Sequence, residues 1–136
     1  MAAAPLSLTH CEGTLAICRL AANSPVPAWA LRGTFQSITR TPDELSIVCD
    51  AAVVPREVHA ERDTTALRVT GTLDLGTVGV LAALSAPLAA ADVPIFVVST
   101  FDTDWILVHR VRYDAACSAL RAAGFPVHEL APSILN

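Results

Sequence analysis

The chain contains no lysine. Nine arginines supply its fixed positive charge against thirteen aspartates and glutamates, so the formal net charge is −4 with histidine neutral. A protein that grips a phosphate backbone normally carries a basic surplus or a basic face, so nucleic acid is not an expected partner. Aromatic residues are scarce too, at 5%. That argues against an RNA-recognition sheet, which stacks bases on aromatics of its central strands. Charged residues amount to 16% and apolar ones to 53%, a balance too apolar for a disordered chain and sufficient for a core.

Long apolar runs are missing as well. Mean hydropathy is +0.51, yet no stretch reaches the roughly 18 apolar residues a spanning helix needs. The longest, Leu75 to Ala91, is interrupted by Gly76, Gly79 and Pro87. Residues 1–5, Met-Ala-Ala-Ala-Pro, have neither a basic nor an apolar signal region. No membrane partner is expected, and a cytoplasmic location is. The four cysteines, Cys11, Cys18, Cys49 and Cys117, form no CxxC pair, and the four histidines are scattered. The expectation is buried free thiols and no metal site. GxSxG, P-loop and HExxH patterns are absent, so no catalytic residue and no cofactor is expected.

What is present reads most clearly in the second half. Leu67 to Leu73 alternates apolar and polar residues, as a half-buried strand does. From Gly76 to Ala91 the period changes: Val80/Leu81, Leu84 and Leu88 recur at helical spacing, with Asp74 placed to cap the N-terminus and Pro87 expected to kink or shorten the helix. Val93 to Val98 is a β-branched strand, Ser99 to Asp104 a polar turn, and Trp105 to Val108 the next strand. Asp114 is placed to cap a helix from Ala115 to Ala123 with Ala116, Leu120 and Ala123 inward, Gly124 stops it, and Pro126 to Leu130 forms a last strand. The order strand, helix, strand, strand, helix, strand is the ferredoxin-like split βαβ, an α+β fold with an antiparallel sheet.

The first half is richer in strands. Leu6 to Thr9 and Thr14 to Leu20 read as two strands turned at Glu12-Gly13, and Pro27 to Leu31 as a helical turn anchored by Trp29. Thr34 to Arg40 and Glu44 to Asp50 form a hairpin across Thr41-Pro42-Asp43. Ala51 to Val54 is a short apolar piece, and Arg56 to Thr65, with five charged residues, reads as a solvated linker. The 136 residues therefore divide into two similar subdomains, residues 1–62 with reduced helices and residues 63–136.

Two segments carry a resemblance: Leu73-Asp74-Leu75-Gly76-Thr77-Val78-Gly79-Val80-Leu81, and Pro94 to Val108 with Ser99-Thr100-Phe101-Asp102-Thr103-Asp104 at its centre. Together with Glu44-Leu45-Ser46-Ile47-Val48-Cys49 they resemble the ACT-domain family. The likeness is greatest to small bacterial ACT proteins related to the regulatory domains of aspartate kinase and to the cytosolic arginine sensors of animals. It covers roughly Leu6 to Val127. It implies tandem ACT folds that bind small effectors, typically amino acids, at subdomain or subunit interfaces. By position it implies ligand contacts at Asp74, Leu75, Gly76, Thr77 and Val78 on one edge, and at Ser99, Thr100, Phe101 and Asp104 on the other.

The residues suit that chemistry. A helix N-terminus favours the carboxylate of an amino acid, and glycine allows close backbone approach. Asp74, Asp102, Asp104 and the carbonyls of Ser99 to Phe101 can accept from its ammonium. Each residue also has a structural reading: Asp74 as a helix cap, Gly76 and Gly79 as turn and packing glycines, Asp102 and Asp104 as turn-fixing side chains, Phe101 as core. Trp29 and Trp105 suit core or interface better than a ligand platform. The expectation is a non-catalytic regulatory protein that binds an amino acid and forms a homodimer. A pure dimerisation module without ligand is the competing reading. With no output domain in sight, either acts by self-association or through an unknown protein partner.

Overall fold

The computed structural model describes residues 6–129; the signal-region reading of residues 1–5 and the Leu130 end of the last strand lie outside them. Seven strands and two helices fall into two compact units. One comprises residues 6–12 and 65–129, the other residues 13–64. Residues 6–12, which belong to the N-terminal half by sequence order, therefore cluster with the C-terminal half. Two strands run through both units: β1 (Leu8–Leu20) and β4 (Ala60–Val69).

In the unit of residues 6–12 and 65–129, β1 lies beside β4, then follow β6 (Asp104–His109) and β5 (Phe96–Ser99). On its other side β1 pairs in parallel with β7 (Val127–Glu129), Leu8 opposite Val127. The hairpin β5–β6 is antiparallel, with Val97 opposite Ile106 and Ser99 opposite Asp104. Helix α1 (Val80–Ala90) contributes Val80, Leu84 and Leu88 to the core, and α2 (Tyr113–Ala122) contributes Ala116, Cys117 and Leu120. They meet Leu8, Leu67, Val69, Ile106 and Val108 from the strands in one apolar cluster.

In the unit of residues 13–64, β3 (Leu45–Asp50) pairs antiparallel with β1 and with β2 (Gln36–Arg40), and β1 again lies beside β4. Two 3-10 turns, Ala28–Leu31 between β1 and β2 and Ala51–Val53 between β3 and β4, complete the unit. Ala16, Cys18, Ala30, Leu45, Ile47, Cys49 and Val54 form the core, with Trp29 packed against it.

The elements differ from the sequence reading in several places. Glu12-Gly13 does not turn the chain: β1 is one strand of thirteen residues. Gly13 sits within it at φ +115° with open space where a Cβ would stand, so glycine absorbs a local distortion without reversing direction. The halves of β1 pair with β7 and with β3, never with each other. Arg56 to Thr65 is not a linker, since β4 starts at Ala60. Its charge is partly structural: the Arg62 guanidinium donates to the carbonyls of Val54, Pro55, Arg56 and Val58. β4 ends at Val69, short of Leu73.

Asp74 does not cap α1. Gly79, at φ +87°, is the residue before the first turn, and no side chain caps that end. A left-handed residue is cheap only for glycine, and it moves the helix start past Asp74. Pro87 does not end α1, which continues to Ala90. Asp114 lies within the first turn of α2 and does not cap it; His109 Nδ1 accepts from Val111 at the preceding 3-10 turn Arg110–Arg112. Ala123 is exposed and lies beyond the helix, whereas Cys117 is buried. β7 pairs with β1, so β1 stands between the last strand and β4 in this unit.

Arg62→Met should destabilise the protein by about 1.5–3 kcal/mol in urea unfolding, because the loop carbonyls lose a charged donor. Arg62→Lys should recover only part of that, because a single ammonium cannot reproduce the planar fork. Leu84→Ala, at a position with 0% exposure, should cost roughly 2–5 kcal/mol by the same measurement.

Candidate functional site

The chain between β4 and α1 is folded by its own side chains. Asp74 Oδ1 accepts from the Gly76 amide at 2.9 Å, and the Asp74 carbonyl accepts from Thr77 N at 2.9 Å. This Asx-type turn is what Asp74 does in place of capping. The β5–β6 turn is fixed in the same manner: Thr100 N donates to the Thr103 carbonyl at 2.9 Å, and Thr100 Oγ1 donates to it at 3.1 Å. Thr103, which is buried, donates its hydroxyl to the Val69 carbonyl at 2.7 Å. Leu73 N donates to the Asp102 carbonyl at 2.6 Å and ties the two turns together.

Between the turns lies an open cleft of about 280 Å³. Asp74, Leu75 and Thr77 line one side, and Ser99, Thr100, Phe101 and Asp104 the other. Of the residues expected from the sequence, Gly76 and Val78 do not line it; both are exposed. Leu73, Gly79, Val80, Leu81 and Thr103 line it unexpectedly, and so does Asp102, singled out above only as an acceptor. Leu73, Val80 and Leu81 read in sequence as core positions, and only the place of the α1 N-terminus turns them into a wall.

The electrostatics of the cleft are uneven. Asp74, Asp102 and Asp104 bring three carboxylates, and no basic side chain lines it among the described residues. Asp104 Oδ1 accepts from the Ser99 hydroxyl at 2.6 Å, which leaves its other oxygen for another donor. The first-turn amides of α1 have no side-chain cap, so that end offers donors and the positive pole of the helix. Around the cleft, Leu75 (69%), Val78 (94%) and Phe101 (77%) are strongly exposed for apolar residues.

A second polar cluster stands elsewhere in the same unit. His10 Nδ1 pairs with Glu129 Oε2 at 2.8 Å, and His10 Nε2 lies 2.9 Å from Thr65 Oγ1. Tyr113 donates to Glu129 Oε1 at 2.7 Å, and its ring centroid lies 4.2 Å from that of His10. Acid, imidazole and hydroxyl stand in the order of a nucleophile relay. Thr65 is only 3% exposed, so its hydroxyl serves as a buried stitch between β4 and β1.

The Tyr113 hydroxyl and His10 hold the Glu129 carboxyl below its usual range, against some desolvation. Burial chiefly pushes the cysteine thiols up, Cys49 to about 12. No group of three metal-ligating side chains occurs among the described residues. No helix among them is long and apolar enough to cross a membrane.

A family model described as an ACT domain matches residues 59–122, and one for an N-terminal domain matches residues 13–57. A crystal structure of a protein from Agobacterium tumefaciens is similar over 95% of this chain and 96% of its own length, at 35% identity and TM-score 0.88. The chain belongs to the ACT-domain family. The ACT-like fold recurs, at lower identity, in two further structures. Aspartate kinase from Clostridium acetobutylicum matches at TM-score 0.62 and 11% identity, over 87% of this chain and 33% of that one. The regulatory subunit of aspartate kinase from Thermus thermophilus, in its ligand-free form, matches at TM-score 0.56 and 14% identity, over 90% of this chain and 99% of that one. No curated protein matches the chain.

The lowered Glu129 carboxyl fixes a pH dependence. A folded-state value below the unfolded one contributes stability above the unfolded value and loses it as pH falls through the folded one. The melting temperature should therefore fall on acidification below about pH 4.5. Glu129→Gln should show a smaller fall over that range, measured by calorimetry in matched salt.

Proposed function

We propose that this ACT protein is a non-catalytic regulatory protein that binds a small amino acid in the cleft between the Asp74–Thr77 turn and the Ser99–Asp104 hairpin tip. The observation that carries the reading is the pairing of an uncapped helix N-terminus with three carboxylates around one cleft of about 280 Å³. A zwitterion has complementary ends: its carboxylate suits the helix amides, and its ammonium suits Asp104 or Asp74. The volume lies near the lower end of the range for small-molecule sites, about 300–1,000 Å³, which favours a ligand of amino-acid size.

The effector contacts fall to Asp74, Leu75, Thr77, Ser99, Thr100, Phe101 and Asp104, with Gly76 and Val78 shaping the turn. A second copy of the chain covers Leu75, Val78 and Phe101, so that the ligand sits at the interface of a homodimer. Exposed apolar residues of this extent mark an interaction surface more often than bare protein. The same exposure favours the second reading, an assembly module that dimerises with nothing bound.

Thermal-shift screening against the twenty amino acids separates the two. An amino acid at one hundred times its dissociation constant should add about 2.7 kcal/mol and raise the melting temperature. Asp104→Ala should weaken that ligand by roughly ten- to a hundredfold, the worth of one charge-assisted hydrogen bond. No shift with any amino acid at millimolar concentration rejects the amino-acid reading. A dimer in light scattering without any such shift leaves the assembly module.

A further inference from the structure

On β4, one residue past Leu67, Arg68 is half-buried, and its Nε is fully enclosed without a hydrogen-bond partner. No described carboxylate lies within salt-bridge distance of its guanidinium, and no described residue accepts a hydrogen bond from it. Its Cζ lies 5.7 Å from the centre of the Trp105 ring. That stacking holds the cation without neutralising it. Cys11 is near enough to feel the charge, but burial pushes its thiol up, so it stays neutral and supplies no counter-ion. Arginine keeps its proton at any accessible pH, and a partly desolvated charge without a partner is costly.

The guanidinium does not face a filled interior. Arg68 and Trp105 line a second cleft, of about 260 Å³, together with Gly71, Thr72 and Asp102. A Cβ on Gly71 would meet nothing within 4 Å, so this wall is open space beside bare backbone. The elements of an anion site are therefore present: a planar cation stacked on Trp105, a hydroxyl at Thr72 and room for a small molecule.

We propose that the Arg68–Trp105 cleft binds a small organic carboxylate, held by the Arg68 guanidinium. A carboxylate matches two parallel N–H donors, and the pair gains strength in partly desolvated surroundings. Inorganic phosphate shares the oxyanion chemistry. Its second negative charge is opposed by Asp102 in the same cleft and by a chain of net charge −4. This cleft shares Thr100, Asp102 and Thr103 with the one between the turns, but Arg68, Gly71, Thr72 and Trp105 line it alone, so the Arg68 resonance and the Arg68→Lys variant read this cleft and not the other.

The Arg68 Nε–H resonance of the full-length wild-type protein, assigned by its loss in Arg68→Lys, is followed by NMR. Sodium acetate is titrated against sodium chloride at matched ionic strength, and sodium phosphate in a parallel series. Acetate should move the resonance saturably, chloride should not, and phosphate should bind more weakly. Arg68→Lys keeps the charge but loses the fork, and should weaken the acetate-dependent shifts of the Thr72 and Trp105 amides by on the order of tenfold. The proposal is overturned if acetate produces no saturable shift, or if chloride produces the same one. Tighter binding of phosphate, or undiminished acetate binding in Arg68→Lys, overturns it equally.

Discussion

Backbone pairing along β1 and β4 is the constraint on which both compact units depend. Thr70 N donates to the Ser7 carbonyl in one unit, and Arg19 N donates to the His59 carbonyl in the other. Each unit thus takes two central strands from the same two stretches of chain, and each adds its own neighbours: β7, β6 and β5 in one, β3 and β2 in the other. An unpaired strand in either position would expose a row of amides and carbonyls. The charged residues at the start of β4 belong to this arrangement, since Arg62 ties down the loop that leads into the strand.

The cleft between the turns follows from the same frame. β4 and β6 are neighbours, so the chain leaving β4 at Val69 and the turn entering β6 at Asp104 emerge close together. The bond from Leu73 N to the Asp102 carbonyl and that from Thr103 Oγ1 to the Val69 carbonyl fasten them. Gly79 then delivers the α1 N-terminus to the cleft without a side chain over it. The polar character of this end of the unit is a property of turns, while the apolar stripe Val80, Leu84 and Leu88 anchors the helix in the core.

Much of this was legible in the sequence where one period dominated. The stripe of α1, the hairpin of β5 and β6 and the turn around Trp29 all carry local signals, and the structure has them close to the expected places. The two cleft edges came from likeness to a family and not from periodicity. What stayed hidden depends on partners far along the chain. Gly13 reads as a turn unless one knows that the two halves of β1 find different neighbours. The charges of residues 56–65 read as solvated unless the carbonyls that Arg62 serves are in view. Asp74 and Gly79 compete for the start of α1, and local composition does not decide between a side-chain cap and a left-handed glycine. Arg68 alternates with core residues, and its significance comes from Trp105 on a neighbouring strand.

The parallel pairing of β7 with β1 also bears on how the chain folds. His10 and Glu129, bonded through their side chains, are 119 residues apart. Residues 13–64 can close their contacts once β4 has been made, with loops of moderate length. The other unit has its first strand available early and its last strand only at the far end, so its sheet closes through a pairing of very high contact order. Until then the side of residues 8–10 that β7 will occupy is an unprotected strand edge, the feature most prone to pair with another chain during synthesis.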